Sequence, residues 1–208
     1  MKKKEELNNL FLKWKEEQRK EKDAITIPFN KVDKASFTYD GFVFEEKDNT
    51  VLYILKESNL INGTKANDEF WFKEIYKEQN NRNIITRRIE KMQEYICLNI
   101  PNISNRDISY MNINKRGGFT KSDEDAMYNY YERYKEKYLW EEIKIINPII
   151  IIYCAKDKKI YEDLVKNIKV KYIIKMDHPS NYYISDKKYM EKFKERFNKK
   201  YLEYKRNY

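Results

Sequence analysis

The order of apolar segments predicts an α/β fold: a three-layer αβα arrangement with a mainly parallel sheet of about four strands and an N-terminal amphipathic helix. Three observations carry this. From Val51 onward, short apolar runs (Val51 to Leu55, Ile108 to Ile113, Pro148 to Tyr153, Val170 to Ile174) alternate with helical stretches, as in a parallel sheet covered on both faces. The third run contains Ile149-Ile150-Ile151-Ile152, β-branched throughout and preceded by Pro148, which fits an internal strand buried on both sides. Leu7, Leu10, Phe11 and Trp14 recur at i, i+3, i+4 and i+7, which predicts a helix over residues 3–22 with a Lys/Glu-rich solvated face.

The remaining elements follow in chain order. Residues 23–50 hold Pro28, Gly41 and the aromatics Phe29, Phe37, Tyr39, Phe42 and Phe44, and read as irregular chain with room for one short strand. Ile85, Ile89, Met92 and Ile96 mark a helix between the first two strands. Ser122, with Asp125 three residues on, is a capping-box-like start for a helix that carries Met127, Tyr130, Tyr131, Tyr134 and Tyr138 and stops before Pro148. A last helix is expected from about Asp186 to Tyr204. At 208 residues one domain is the expectation, with 1–50 as an extension and 51–208 as the core.

Lys and Arg number 43 against 34 Asp and Glu, a formal charge of +9. Such an excess suits a polyanionic partner, but heavy Lys usage alone would also produce it. Cys97 and Cys154 lie far apart in apolar contexts, so neither a disulfide framework nor a metal site is expected, and a reducing compartment fits. No apolar run follows Met1-Lys2-Lys3-Lys4-Glu5-Glu6, and the longest apolar stretch, Ile145 to Ala155, is well short of the ~20 residues that span a bilayer. The expectation is a cytoplasmic monomer that needs no metal or organic cofactor and does not enter a membrane.

Ligands of open parallel sheets sit beyond the carboxyl ends of the strands, where this chain is polar. Lys56-Glu57-Ser58-Asn59 follows the first strand, with Asp68-Glu69-Phe70-Trp71-Phe72 further on. Asn112-Ile113-Asn114-Lys115-Arg116-Gly117-Gly118 follows the second, and Asp177-His178-Pro179-Ser180-Asn181 the last. A carboxylate, an amide and the only histidine thus come to one edge. Each has an ordinary alternative: Glu57 as a capping or solvated residue, Asn112 as a loop hydrogen-bonder, Gly117-Gly118 as a turn, and the aromatics as core.

Taken in order, these motifs resemble the uracil-DNA glycosylase superfamily, most closely the branch that includes the bacterial iron-sulfur uracil glycosylases. That branch pairs a Glu-containing first loop, an Asn-x-x-Lys second motif and a strand entered through Pro with a closing His-Pro-Ala or His-Pro-Ser. Here these are Lys56-Glu57-Ser58-Asn59, Asn112-Ile113-Asn114-Lys115, Asn147-Pro148 and His178-Pro179-Ser180, across residues 50–200. The first loop lacks the family's Gly and Pro-Gly, and the four cluster cysteines are absent, so no iron-sulfur cluster carries over.

The resemblance implies base excision from DNA by hydrolysis of the N-glycosidic bond of uracil or another altered base. Glu57, with Asn59 as second candidate, would orient water or balance the cationic sugar. His178 would stabilise the departing base as neutral imidazole. Asn112 would read the flipped base, with Ser58 beside it and Phe70 or Trp71 stacked on it. Lys115, Arg116 and Lys121, with Ser180 and Asn181, would hold phosphate, and Tyr182 or Tyr183 would fill the gap left by the flipped nucleotide. The altered first loop keeps a second reading open, a non-catalytic DNA-binding relative. An unrelated nucleotide-binding domain is a third, although no Gly-rich phosphate loop follows the first strand.

Overall fold

A computed structural model describes residues 2–21, 36–59, 83–118 and 124–207. In chain order its elements are α1 (Lys2–Arg19), β1 (Gly41–Phe42), β2 (Val51–Asn59), α2 (Ile84–Asn99), β3 (Ile108–Gly118), α3 (Glu124–Tyr134), α4 (Trp140–Ile146), β4 (Ile150–Tyr153), α5 (Lys158–Asn167), β5 (Tyr172–Lys175) and α6 (Asp186–Asn207). A π-helical turn, Lys135–Leu139, joins α3 to α4. The strands form a five-stranded sheet in the order β1-β3-β2-β4-β5. The β2–β3, β2–β4 and β4–β5 pairs are parallel, and β1 is antiparallel to β3. The fold is therefore mixed α/β with a mostly parallel sheet and an N-terminal helix. No helix among the described residues is long and apolar enough to cross a membrane.

Strand residues alternate between two apolar clusters, as a period of two requires. Leu52, Ile54, Met111, Ile113, Ile151 and Ile173 pack with α1, α3, α4 and α5. Val51, Tyr53, Ile108, Ile150, Ile152 and Ile174 pack with Ile89, Met92 and Ile96 of α2 and Tyr189, Phe193 and Phe197 of α6. The four-isoleucine run supplies both clusters at once, which is why it reads as continuously apolar. Trp14 is the hub of the first cluster: it stacks on Tyr138, with centroids 5.2 Å apart and planes 11° apart, and lies 5.7 Å from both Phe37 and Tyr134. Tyr130, Tyr134 and Tyr138, spaced by four, share one side of the helical segment that contains the π turn.

Three features depart from the sequence reading. The segment expected to be irregular with room for one short strand supplies that strand, β1, but is more tightly joined to the sheet than expected: residues just before it also run along β3, with Thr38 N–H donating to Lys115 O at 2.7 Å. Gly41 begins this edge at φ +123, where an added Cβ would meet Leu7 Cδ1 at 3.1 Å; glycine is used because backbone conformation and close approach both demand it. The supposed extension thus contributes α1, Phe37 and an edge strand to the core. Second, α5, capped by the Asp157 side chain on Ile160 N–H, buries only Ile160 and Leu164, too sparse a stripe to mark it in sequence. Third, β3 continues well past Ile113 to Gly118, which moves its polar residues from a loop into the sheet. The cap expected at Ser122 lies outside the described residues.

The chain leaves β2 through α2 to reach β3, then passes to the other side of β2 through α3 and α4 on the opposite face. This reversal puts the topological switch point at the carboxyl ends of β2 and β4, where a ligand site in an open parallel sheet is expected.

Candidate functional site

At that carboxyl edge β2 presents Lys56 and Glu57, both half-buried. Glu57 lies opposite Asn114 in the parallel ladder, and Asn114 Nδ2 donates to Glu57 Oε2 at 3.1 Å. The register then slips, so that Asn59 faces Gly118. Gly117, at φ +78, takes up the extra residues in β3. Asn114 braces this bulge: its Oδ1 accepts from Arg116 N–H at 3.1 Å, and Nδ2 also lies 3.4 Å from Gly117 O. Because the oxygen is held by a backbone donor, the amide NH2 must face Glu57. The carboxylate is therefore oriented rather than loose.

His178 enters from the end of β5, half-buried. Its Nδ1 lies 2.7 Å from Ser180 Oγ and accepts from Ser180 N–H at 3.3 Å. A nitrogen that accepts a backbone N–H carries no proton, so the neutral ring bears its proton on Nε2. Burial, reinforced by the nearby Lys56 charge, pushes the imidazole down to about 4; near neutral pH it is an N–H donor without charge. Beyond it Tyr182 and Tyr183 stand exposed as a pair, centroids 4.2 Å apart and hydroxyls 2.8 Å apart. The edge thus offers an oriented carboxylate, a neutral donor, a cation and two exposed rings.

Three expected site residues lie elsewhere. Asn112 is mid-strand and fully buried, its backbone N–H and Nδ2 donating to Asp40 at 2.5 and 3.1 Å; it does not reach the rim to read a base. Lys115 is also fully buried, paired with Asp40 and with Glu142 at 2.7 Å, its ammonium 5.4 Å from the Phe11 ring and 5.1 Å from that of Trp14. Arg116 is buried against Glu21. Neither cation meets solvent, so neither serves as a phosphate contact in this arrangement. The cause is the length of β3, which carries both inside.

Two carboxylates and one ammonium in a sealed space invite protonation. Burial, with Asp40 adding to it, raises Glu142 to about 8 against the pull of Lys115, and burial raises Asp40 too. Near neutral pH Glu142 therefore keeps its proton inside the cluster.

Ser180 is exposed and occupied with His178, while the Asn181 side chain caps Tyr183 N–H at 3.2 Å. The backbone of Ser58 and Asn59 continues β2. Phe70, Trp71 and Lys121 lie outside the described residues. Among those described, no group of three or more His, Cys, Asp or Glu side chains is placed to hold a metal ion, and both cysteines are free. Asn114, Lys56 and Arg88 are the site residues that sequence reasoning missed. Asn114 shares the strand parity of Asn112, and Arg88 falls on the Ile85, Ile89, Met92 stripe, where a cation needs a buried partner. No protein-family model, curated protein or solved structure matches the chain.

Proposed function

We propose that the chain is a DNA base-excision glycosylase, built as a three-layer αβα domain, that hydrolyses the N-glycosidic bond of uracil or another altered base at the carboxyl edge of its sheet. The observation that carries the reading is one edge holding both a carboxylate oriented by Asn114 and a neutral imidazole with its proton on Nε2. As the bond from base nitrogen to sugar carbon breaks, the electron pair leaves with the base. An N–H donor at a base carbonyl oxygen stabilises that charge without a proton transfer. The sugar gains cationic character, which the Glu57 carboxylate balances while it orients the incoming water and accepts its proton. Asn114 acts here by aiming Glu57, in place of the base reading expected of Asn112.

The test is incubation with single- and double-stranded oligonucleotides carrying uracil, hypoxanthine, oxidised or alkylated bases, followed by alkaline cleavage at abasic sites. Wild type should cleave at least one substrate, and Glu57→Gln and His178→Ala should lose about 10²- to 10³-fold, the usual cost of removing one such group. Cleavage unaffected by both substitutions would defeat the residue assignment.

A DNA-binding relative without turnover is the second reading. It is favoured by the burial of Asn112, which takes the expected base-reading amide away from the rim. Salt-sensitive DNA binding with no base release from any substrate would select it.

A further inference from the structure

The loop from His178 to Ile184 is held from below by one side chain. Arg88 of α2 is 1% exposed and spends its guanidinium on this loop: Nη1 donates to Pro179 O at 3.0 Å and to Asn181 O at 2.8 Å, and Nη2 donates to Ile184 O. Its Nε donates to Asp186 Oδ1 at 2.9 Å, and its planar head lies 4.5 Å from the centre of the Tyr189 ring. Tyr189 in turn donates to Asp177 O at 2.8 Å, the residue before His178. Arg87 holds the other oxygen of Asp186 at 2.6 Å, so the carboxylate that aims Arg88 is itself fixed. A helix needs none of this for its own stability. A buried arginine whose donors converge on three carbonyls of one loop fixes the shape of that loop.

We propose that Arg88 is a positioning residue of the proposed site, setting where the imidazole of His178 and the Tyr182–Tyr183 pair stand by clamping the loop that carries them. Arg88 touches no reacting atom and acts through the backbone on either side of Ser180. The proposal rests on the glycosylase reading for its purpose, but the clamp can be tested without any activity.

His178 is the only histidine, so its ring C–H signals in a one-dimensional proton spectrum report a single titration. The charged groups nearest the loop are Lys56 from β2, Asp177, which Lys192 of α6 binds, and Asp186, which Arg87 and Arg88 bind. In wild type the midpoint should fall near 4. Freeing the loop lets water reach the ring, so Arg88→Met should raise the midpoint by about one unit or more toward the ordinary 6.5.

Losing a positive charge would raise it too, and Arg88→Lys separates the causes: it keeps the charge but loses the fork, and should show at least half the rise. Asp186→Asn adds a second control, since removing a carboxylate lowers a nearby histidine electrostatically; a rise there reports loop release alone. It also carries the test if the Arg88 variants fail to fold. Folded variants with midpoints unchanged in Arg88→Lys and Asp186→Asn would overturn the proposal. Base release absent in wild type with these shifts present would defeat only the glycosylase reading; shifts absent with base release intact would defeat only the clamp.

Discussion

Two polar clusters of similar composition sit at different places on the sheet. Asp40, Lys115, Glu142 and Asn112 form one; Glu57, Lys56, Asn114 and His178 form the other. The first is closed beneath α1 and the tyrosines of α3, with its three charged side chains fully buried. The second is half-open at the carboxyl edge, beside exposed tyrosines. A carboxylate, a cation and an amide therefore form a sealed structural core in one place and a half-open edge in the other. What separates them is cover: Lys115 keeps the parity of Met111 and Ile113 and is closed in beneath α1, whereas Glu57 and His178 lie half-buried at the carboxyl edge, with Asn114 on the same strand as Lys115.

The sharpest way to break this comparison is to remove the cation of the sealed cluster. Lys115→Met leaves Asp40 buried without its counter-charge and should cost about 3–5 kcal/mol, a fall in melting temperature of roughly 10 °C for a chain of this size. If Lys115 instead served as a phosphate contact, the melting temperature would hold and the salt dependence of DNA binding would weaken. Substitution at the open edge should show the opposite pattern. His178→Ala should remove about 10²-fold or more of base release while shifting the melting temperature by only a few degrees, measured on the same preparation.

Acid and alkali separate the clusters next. Glu142 is raised from 4.5 to about 8, so the folded state holds a proton the unfolded state releases. That contribution is complete below about 4.5 and is lost as pH rises through about 8. Glu142→Gln, which mimics the protonated acid, should stay close to wild type near pH 4.5 and exceed it by on the order of 5 kcal/mol at pH 9, by urea denaturation. His178 is depressed from 6.5 to about 4, so its contribution is present above 6.5 and is lost as pH falls toward 4. His178→Ala should flatten the acid limb only. Equal slopes in both variants would mean that the two clusters are not distinct.

The sequence shows more of the sheet than of the site. The four main strands, α1, α2 and α6 follow from apolar periodicity, and the isoleucine run predicts a strand buried on both faces because it feeds both clusters. The strand-end polar residues do identify the edge that holds Glu57 and His178. Asn112, Lys115 and Arg116 were misplaced because an apolar run marks where a strand is buried by hydrocarbon, while β3 continues through polar residues that find partners. Lys115 keeps the alternation of Met111 and Ile113, and Asp40 and Glu142, which make its burial tolerable, lie far away in sequence. Arg88 was hidden for the same reason: its acceptors are backbone carbonyls of a distant loop, which leave no trace in residue identity.

The most direct measurement compares two asparagines on one strand. Asn114→Ala and Asn112→Ala would be assayed side by side for base release and melting temperature on whichever substrate wild type cleaves. Losing the Glu57 orienter should lower base release by about 10²-fold in Asn114→Ala, with a modest loss of stability from the bulge. Losing a buried partner of Asp40 should cost Asn112→Ala about 1–3 kcal/mol, with activity following the folded fraction. Full base release in folded Asn114→Ala, or a specific loss in folded Asn112→Ala, would contradict the assignment of chemistry to the open edge.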